Sequence, residues 1–233
     1  MPVPPVTPSR PSPAATNPVR VWDLPTRLFH WALLGGVVAL FVSGKVGGNA
    51  MDWHVRLGLA AGALIAFRLV WGLVGGRWSR FASFVRGPVT VWRYLRGQLP
   101  APAGHNPLGA LSVLALLAVL ALQVATGLVA DDEIATVGPL NALVPEDWAS
   151  WGTRWHTGPG QTLLLVLVGL HVAAIGFHGL VKKHNLVRPM LTGDQALPAD
   201  TPPSRDSALT RLAALLLLGL CVAGAVWVAR LGG

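Results

Sequence analysis

Apolar positions along this chain fall in long unbroken runs, without the two-residue alternation of a half-buried strand. A helix needs about 20 apolar residues to cross the ~30 Å hydrocarbon layer of a bilayer. Five runs reach that scale: about Leu28 to Val46, Trp53 to Val74, Leu108 to Ala130, His156 to Val181 and Leu209 to Ala229. Each is bounded by Gly, Pro or charge, and each is rich in Leu, Ala and Gly, which disfavours a β-barrel. The pattern predicts an all-α integral membrane protein, with a four-helix transmembrane bundle and a fifth, C-terminal transmembrane helix.

Between the runs the composition shifts. Residues 1–19 carry Pro at 2, 4, 5, 8, 11, 13 and 18, which blocks helix and predicts a disordered, polyproline-like tail. That tail lacks the apolar core of a signal peptide. Residues 20–190 hold the first four runs and read as one membrane domain. Residues 191–208 (LTGDQALPADTPPSRDSA) have linker composition, so residues 209–233 read as an appended membrane anchor.

Bulk composition agrees: 52% of residues are hydrophobic and 12% charged, which excludes an ordinary soluble protein. A mean hydropathy of +0.54 excludes disorder beyond the first residues. The net charge of +8 invites a nucleic-acid reading, but its placement points to a membrane surface and membrane lipid, with no nucleic acid as partner. The connection from Gly75 to Pro107 holds Arg77, Arg80, Arg86, Arg93 and Arg96 and no acid. By the positive-inside rule it is cytoplasmic. The connection from Asp131 to Trp155 carries Asp131, Asp132, Glu133, Glu146 and Asp147 against Arg154 alone, while Lys182, Lys183 and Arg188 follow the fourth run. The N-terminus is therefore expected inside, and the acidic loop and C-terminus outside.

The single cysteine, Cys221, excludes a disulfide framework, a Cys-ligated metal site and a covalently attached haem. Histidines are the remaining ligands. His30 lies near the inner end of the first run and His54 near the outer end of the second. His156 opens the fourth run from outside, and His171 follows fifteen residues later, about 22 Å along a continuous helix at ~1.5 Å per residue. The four sort into two levels, His30 with His171 inside and His54 with His156 outside. A helical bundle offering two imidazoles at one depth suits a bis-histidine haem, so two levels predict two non-covalent b haems. Zinc, the rival metal, wants three or four ligands in one sphere, which these separated pairs do not supply.

His178 competes with His171 for the inner iron but would stand among the headgroups, so His171 is preferred. His184 follows two lysines and reads as solvated. His105 precedes Asn106, a candidate cap, and Pro107, a candidate first helical residue; its role is interfacial, or else near a propionate or a quinone. Arginines suit haem propionates. Arg56 and Arg154 are candidates on the outer level, Arg27 and Arg68 on the inner. Gly58, Gly62, Gly109, Gly127 and Gly169 would let a flat macrocycle approach the backbone, although small residues also mark ordinary helix contacts. Eight tryptophans flank run ends, as an aromatic belt does.

The segments VWDLPTRLFHW (21–31), WHVRLG (53–58), GHNPLGALS (104–112), WHTGPGQ (155–161), GLHVAAIGFH (169–178) and NLVRPMLTG (185–193) resemble the bacterial cytochrome b561 family, which includes cytochrome b subunits of nickel-iron hydrogenases. The resemblance covers about residues 20–195 and leaves out the Pro-rich tail and the fifth run. It implies a four-helix core with b haems in the bacterial inner membrane, exchanging electrons with quinones and with surface redox partners. It also implies that His30, His54, His156 and His171 are the haem ligands. Where many members have Glu after the first histidine of the fourth helix, this chain has Thr157, so an acidic contact there is not expected.

With both axial positions filled by imidazole, neither iron is open to oxygen, and the expected role is an electron relay. It would run between the quinone pool and a partner at the outer, periplasmic face: a periplasmic cytochrome, or a dehydrogenase or hydrogenase subunit, in a respiratory chain. The acidic outer loop suits a basic partner. The alternatives are a superoxide:quinone oxidoreductase, which an acidic surface would serve poorly in steering an anion, and a non-redox membrane anchor.

Overall fold

In the computed structural model, which describes residues 16–99 and 102–232, every apolar run is helical. The order is β1 (Thr16–Arg20), α1 (Leu24–Val46), α2 (Ala50–Val74), α3 (Phe81–Phe84), α4 (Pro88–Leu95), α5 (Pro107–Val129), α6 (Glu146–Thr157), α7 (Pro159–Leu180), α8 (Val187–Thr192), β2 (Asp194–Pro198) and α9 (Ala208–Arg230). Five helical segments are long and apolar enough to cross a membrane: α1, α2, α5, α6 with α7, and α9. They expose Val38, Leu73, Val166, Leu170, Leu216 and Leu220, side chains that lipid solvates and water does not. The protein is a multi-pass, mostly helical membrane protein.

Local chemistry sets the helix boundaries. The carboxylate of Asp23 caps α1 by accepting from the Thr26 N–H at 2.9 Å, and Pro25 stands in the first turn. Asn106 caps α5 through the Gly109 N–H at 2.8 Å, with Pro107 as its first residue. Between α1 and α2 the chain reverses at Gly47 and Gly48, whose φ of +66° and +53° lies where a side chain is disfavoured. A three-residue connection, Gly47 to Asn49, lays α2 directly against α1.

The fourth run departs from the expected continuous helix. It is broken at Gly158 (φ −116°, ψ −105°), because Pro159 lacks an N–H and clashes with a helical residue before it. His156 therefore ends α6 and His171 lies in α7, and a rotation counted along one unbroken helix does not relate their rings.

Two further expectations are corrected at the opposite end of the bundle. Residues 1–15 of the predicted tail lie outside the described residues, but 16–19 belong to β1, which pairs antiparallel with β2 from Thr16 opposite Pro198 to Arg20 opposite Asp194. The stretch read as a linker thus contains the end of α8, β2 and a strap fixed to the start of the chain. Ser204 donates to the Val21 carbonyl at 2.8 Å, and the Ser204 N–H to that of Arg20 at 2.7 Å. Asp206 bonds Arg20 and Arg211 and accepts from the Leu24 N–H. Burial would raise the Asp206 carboxyl, but these donors, Arg211 foremost, hold it below the usual range.

With its start fixed in this way, α9 is part of the bundle and not a detached anchor. It packs along α2, and Ala214 joins Phe29, Phe67, Trp71 and Leu117 in the buried core. Phe67 and Trp71 stack with centroids 5.7 Å apart. At the far end of α9, Gly232 lies against Pro139 of the acidic connection. The bundle thus has a ribbon end and an acidic-loop end.

Candidate functional site

Near the acidic-loop end, α2 and α6 bring His54 and His156 together with ring centroids 5.9 Å apart and planes nearly perpendicular. The Nδ1 of His156 faces the Gln123 carbonyl at 2.8 Å, and the Nδ1 of His54 faces the Leu40 carbonyl at 3.0 Å. A ring nitrogen facing a carbonyl carries the proton, so each Nε2 is left with its lone pair, the form a metal takes. Two metal–nitrogen bonds of ~2 Å each, added to the ring radii, give a similar centroid separation. Among the described residues no group of three or more metal-binding side chains occurs.

Glycines shape the pocket around this pair. A Cβ at Gly127 would meet His156 at 2.8 Å, and one at Gly44 would meet His54 at 3.1 Å. Gly127 is among the glycines expected from the sequence; Gly44 is not, and its signal lay in its distance of ten residues from His54 across the Gly47-Gly48 turn. Gly62 serves helix packing, since its Cβ would meet Val124 at 3.2 Å, and Gly109 adjoins the Asn106 cap. At Gly58 and Gly169 a Cβ would meet no atom within 4 Å.

Gln123, buried in α5, is a residue that sequence reasoning missed. Its side-chain N–H donates to the His156 carbonyl at 3.1 Å while its own carbonyl receives the His156 ring. One residue thereby fixes both backbone and ring of His156. Arg56, expected at this level, is exposed with its guanidinium 5.5 Å from the Trp53 ring, and Arg154 is exposed as well. The nearby surface is acidic. Asp132 accepts from the N–H groups of Thr136, Ala135 and Ile134, which hold its carboxyl down to about 2, so it stays charged well into acid.

At the ribbon end His30 and His171 are not in ring contact. They share a neighbourhood around His105, whose ring packs between Trp22 (4.7 Å) and Phe84 (4.5 Å). Burial first, and then the charges of Arg68, His171 and His30, push the His105 pKa to about 3, so it is neutral. The Nδ1 of His171 lies 3.3 Å from the Ser112 hydroxyl; that of His30 is shielded from solvent without a protein partner. His178 has both nitrogens engaged, Nδ1 at the Ala174 carbonyl and Nε2 3.5 Å from Asn106.

Arg68 is buried, with its guanidinium 4.8 Å from the Phe81 ring and one terminal nitrogen without a hydrogen-bond partner. Snorkelling would have exposed it. Arg27 donates to the Leu191 carbonyl, and its Nε has no partner. Shielded cationic donors beside His30 and His105 fit the carboxylates of a haem, and the His54–His156 pair at the other end fits its iron.

Comparison with known proteins agrees with this donor chemistry. The chain is 27% identical over 221 residues to a probable Ni/Fe-hydrogenase B-type cytochrome subunit of Azotobacter chroococcum, covering 79% of this chain and 91% of that one. It is 23% identical over 212 residues to a protein of the same description from Bradyrhizobium diazoefficiens, covering 76% and 85%. No solved structure matches. The family model of the prokaryotic cytochrome b561 matches residues 21–193, which span α1 to α8 and contain all seven histidines. With most of its length matched, the chain belongs to the prokaryotic cytochrome b561 family, whose members are b-type membrane cytochromes.

Proposed function

We propose that the protein is a di-haem b cytochrome that relays electrons across the bacterial inner membrane, between the quinone pool and a redox partner at the periplasmic face. The observation that carries this reading is the His54–His156 pair, two facing imidazoles whose Nδ1 atoms are both tied to backbone carbonyls. Bound haem b supplies a one-electron Fe(III)/Fe(II) couple with no open coordination position. His54 and His156 would hold one iron and His30 and His171 the other, with Arg68 and Arg27 set to neutralise propionates at the ribbon end. Arg56 and Arg154 line the other end from exposed positions. Gln123 fixes the His156 ring, so that little reorganises when the charge on the iron changes.

The Arg-only connection supports a cytoplasmic ribbon end. A reporter fused after Gly97 should be active only in the cytoplasm, and one fused after Gly233 only outside. The acidic connection would then offer a cationic partner its docking surface in the periplasm. The names of both relatives favour a hydrogenase as that partner.

The test is spectroscopic. Purified protein should show two haems per chain, both reduced by quinol, and carbon monoxide should leave the reduced spectrum almost unchanged. Faster reduction by superoxide than by quinol would favour a superoxide:quinone oxidoreductase. Absence of haem would leave a membrane anchor.

Gln123→Leu provides a finer check. Losing the bond to the His156 carbonyl, while the ring keeps the Gln123 backbone carbonyl, should weaken retention of one haem about fivefold, the worth of one net hydrogen bond of about 1 kcal/mol. Transfer of haem to apomyoglobin measures this, and the other haem should be unaffected.

A further inference from the structure

The connection between α2 and α5 contains a helix that the electron-relay reading does not use. Along α4, Thr90, Val91 and Tyr94 are half-buried toward the protein, where the helix lies against α5. Val89, Trp92 and Leu95 are 71%, 56% and 56% exposed, and their three-residue spacing places them on one face. Arg93 and Arg96 border that face, and the Arg96 guanidinium lies 4.6 Å from the Trp92 ring. No carboxylate lies within ion-pair distance of either arginine among the described residues, and the connection holds no acid.

We propose that α4 is an interfacial anchor selective for anionic phospholipid headgroups, bound by Arg93 and Arg96 while Val89, Trp92 and Leu95 enter the acyl boundary. Its place between two membrane-crossing helices sets α4 at the bilayer surface, and exposed apolar residues beside cations are what an in-plane helix presents there. The charge complementarity is with phosphate, since the face offers cations and no acceptor of opposite need. Arg86 does not take part. Its guanidinium is spent on the carbonyls of Ala82, Ser83 and Val85 that end α3.

Purified holoprotein in non-ionic detergent, titrated with phosphatidylglycerol or phosphatidylcholine and followed by native mass spectrometry, tests this. The protein should retain phosphatidylglycerol in preference, and Arg93→Gln and Arg96→Gln should each lower that preference about fivefold. The double variant should lose it, Arg93→Lys with Arg96→Lys should keep most of it, and Arg86→Gln should leave it unchanged. Equal retention of the two lipids, or an undiminished preference in the double variant, overturns the proposal. So does arginine-dependent binding of polyglutamate without lipid preference, which would make this face a site for an acidic protein. The haem spectrum of each variant checks that the bundle is intact.

Discussion

His54→Ala and His156→Ala should each remove the same haem and leave the other in place. The two rings stand 5.9 Å apart and nearly perpendicular on different helices, and each donates to a backbone carbonyl, that of Leu40 for His54 and of Gln123 for His156. Loss of either therefore leaves the remaining imidazole as a single axial ligand. His30→Ala and His171→Ala should together define the second haem. Low-temperature reduced spectra and a pyridine haemochrome count distinguish the two classes of variant. If His171→Ala keeps both haems and His178→Ala loses one, the α7 ligand is misassigned, although the bonds of His178 to Ala174 and Asn106 argue against that outcome.

The second large effect lies away from the histidines. Asp23 is fully buried, and its carboxylate accepts from the Thr26 N–H, the Gly76 N–H at 3.1 Å, the Ser79 hydroxyl at 2.9 Å and the Trp71 indole at 3.3 Å. Asp23→Ala would leave these donors buried without an acceptor and would uncap α1. Each abandoned donor costs about 1–3 kcal/mol, and partial relaxation still leaves a loss of about 3 kcal/mol or more. Thermal unfolding of the purified protein should show a large fall in midpoint, smaller for Asp23→Asn, whose carbonyl can still accept. An unchanged midpoint for the alanine variant would mean that water replaces the carboxylate.

Membrane helices and their approximate ends were legible in the sequence because lipid demands long apolar runs, and the Asn106-Pro107 start of α5 was legible because a cap is local chemistry. The break at Gly158 was written in Gly158-Pro159, two residues inside the start of the fourth run, where polar α6 gives way to apolar α7. The ribbon was not legible. Its strands, TNPVR and DQALP, are short, contain proline, lack alternation and lie more than 170 residues apart. Proline is tolerated there because a two-stranded ribbon has two free edges. Asp23 is not singled out by the sequence, because its partners Trp71, Gly76 and Ser79 come from the end of α2 and the residues after it. Depth along the runs pairs His54 with His156, whose rings the structure brings within 5.9 Å, and His30 with His171, whose rings it does not bring into contact. The hold of Gln123 on His156 depends on how α5 faces α6, which no local pattern specifies.

The central claim is that the two histidine levels act in series across the membrane, and vectorial transfer in liposomes tests it most directly. Protein is reconstituted with quinol in the bilayer and a membrane-impermeant oxidant on the acidic-loop side, and the oxidant's reduction is followed by stopped flow. Wild-type protein should reduce it, and any one of His30→Ala, His54→Ala, His156→Ala or His171→Ala should bring the rate to that of protein-free liposomes. A variant that has lost one haem and still transfers electrons at the wild-type rate would contradict the relay.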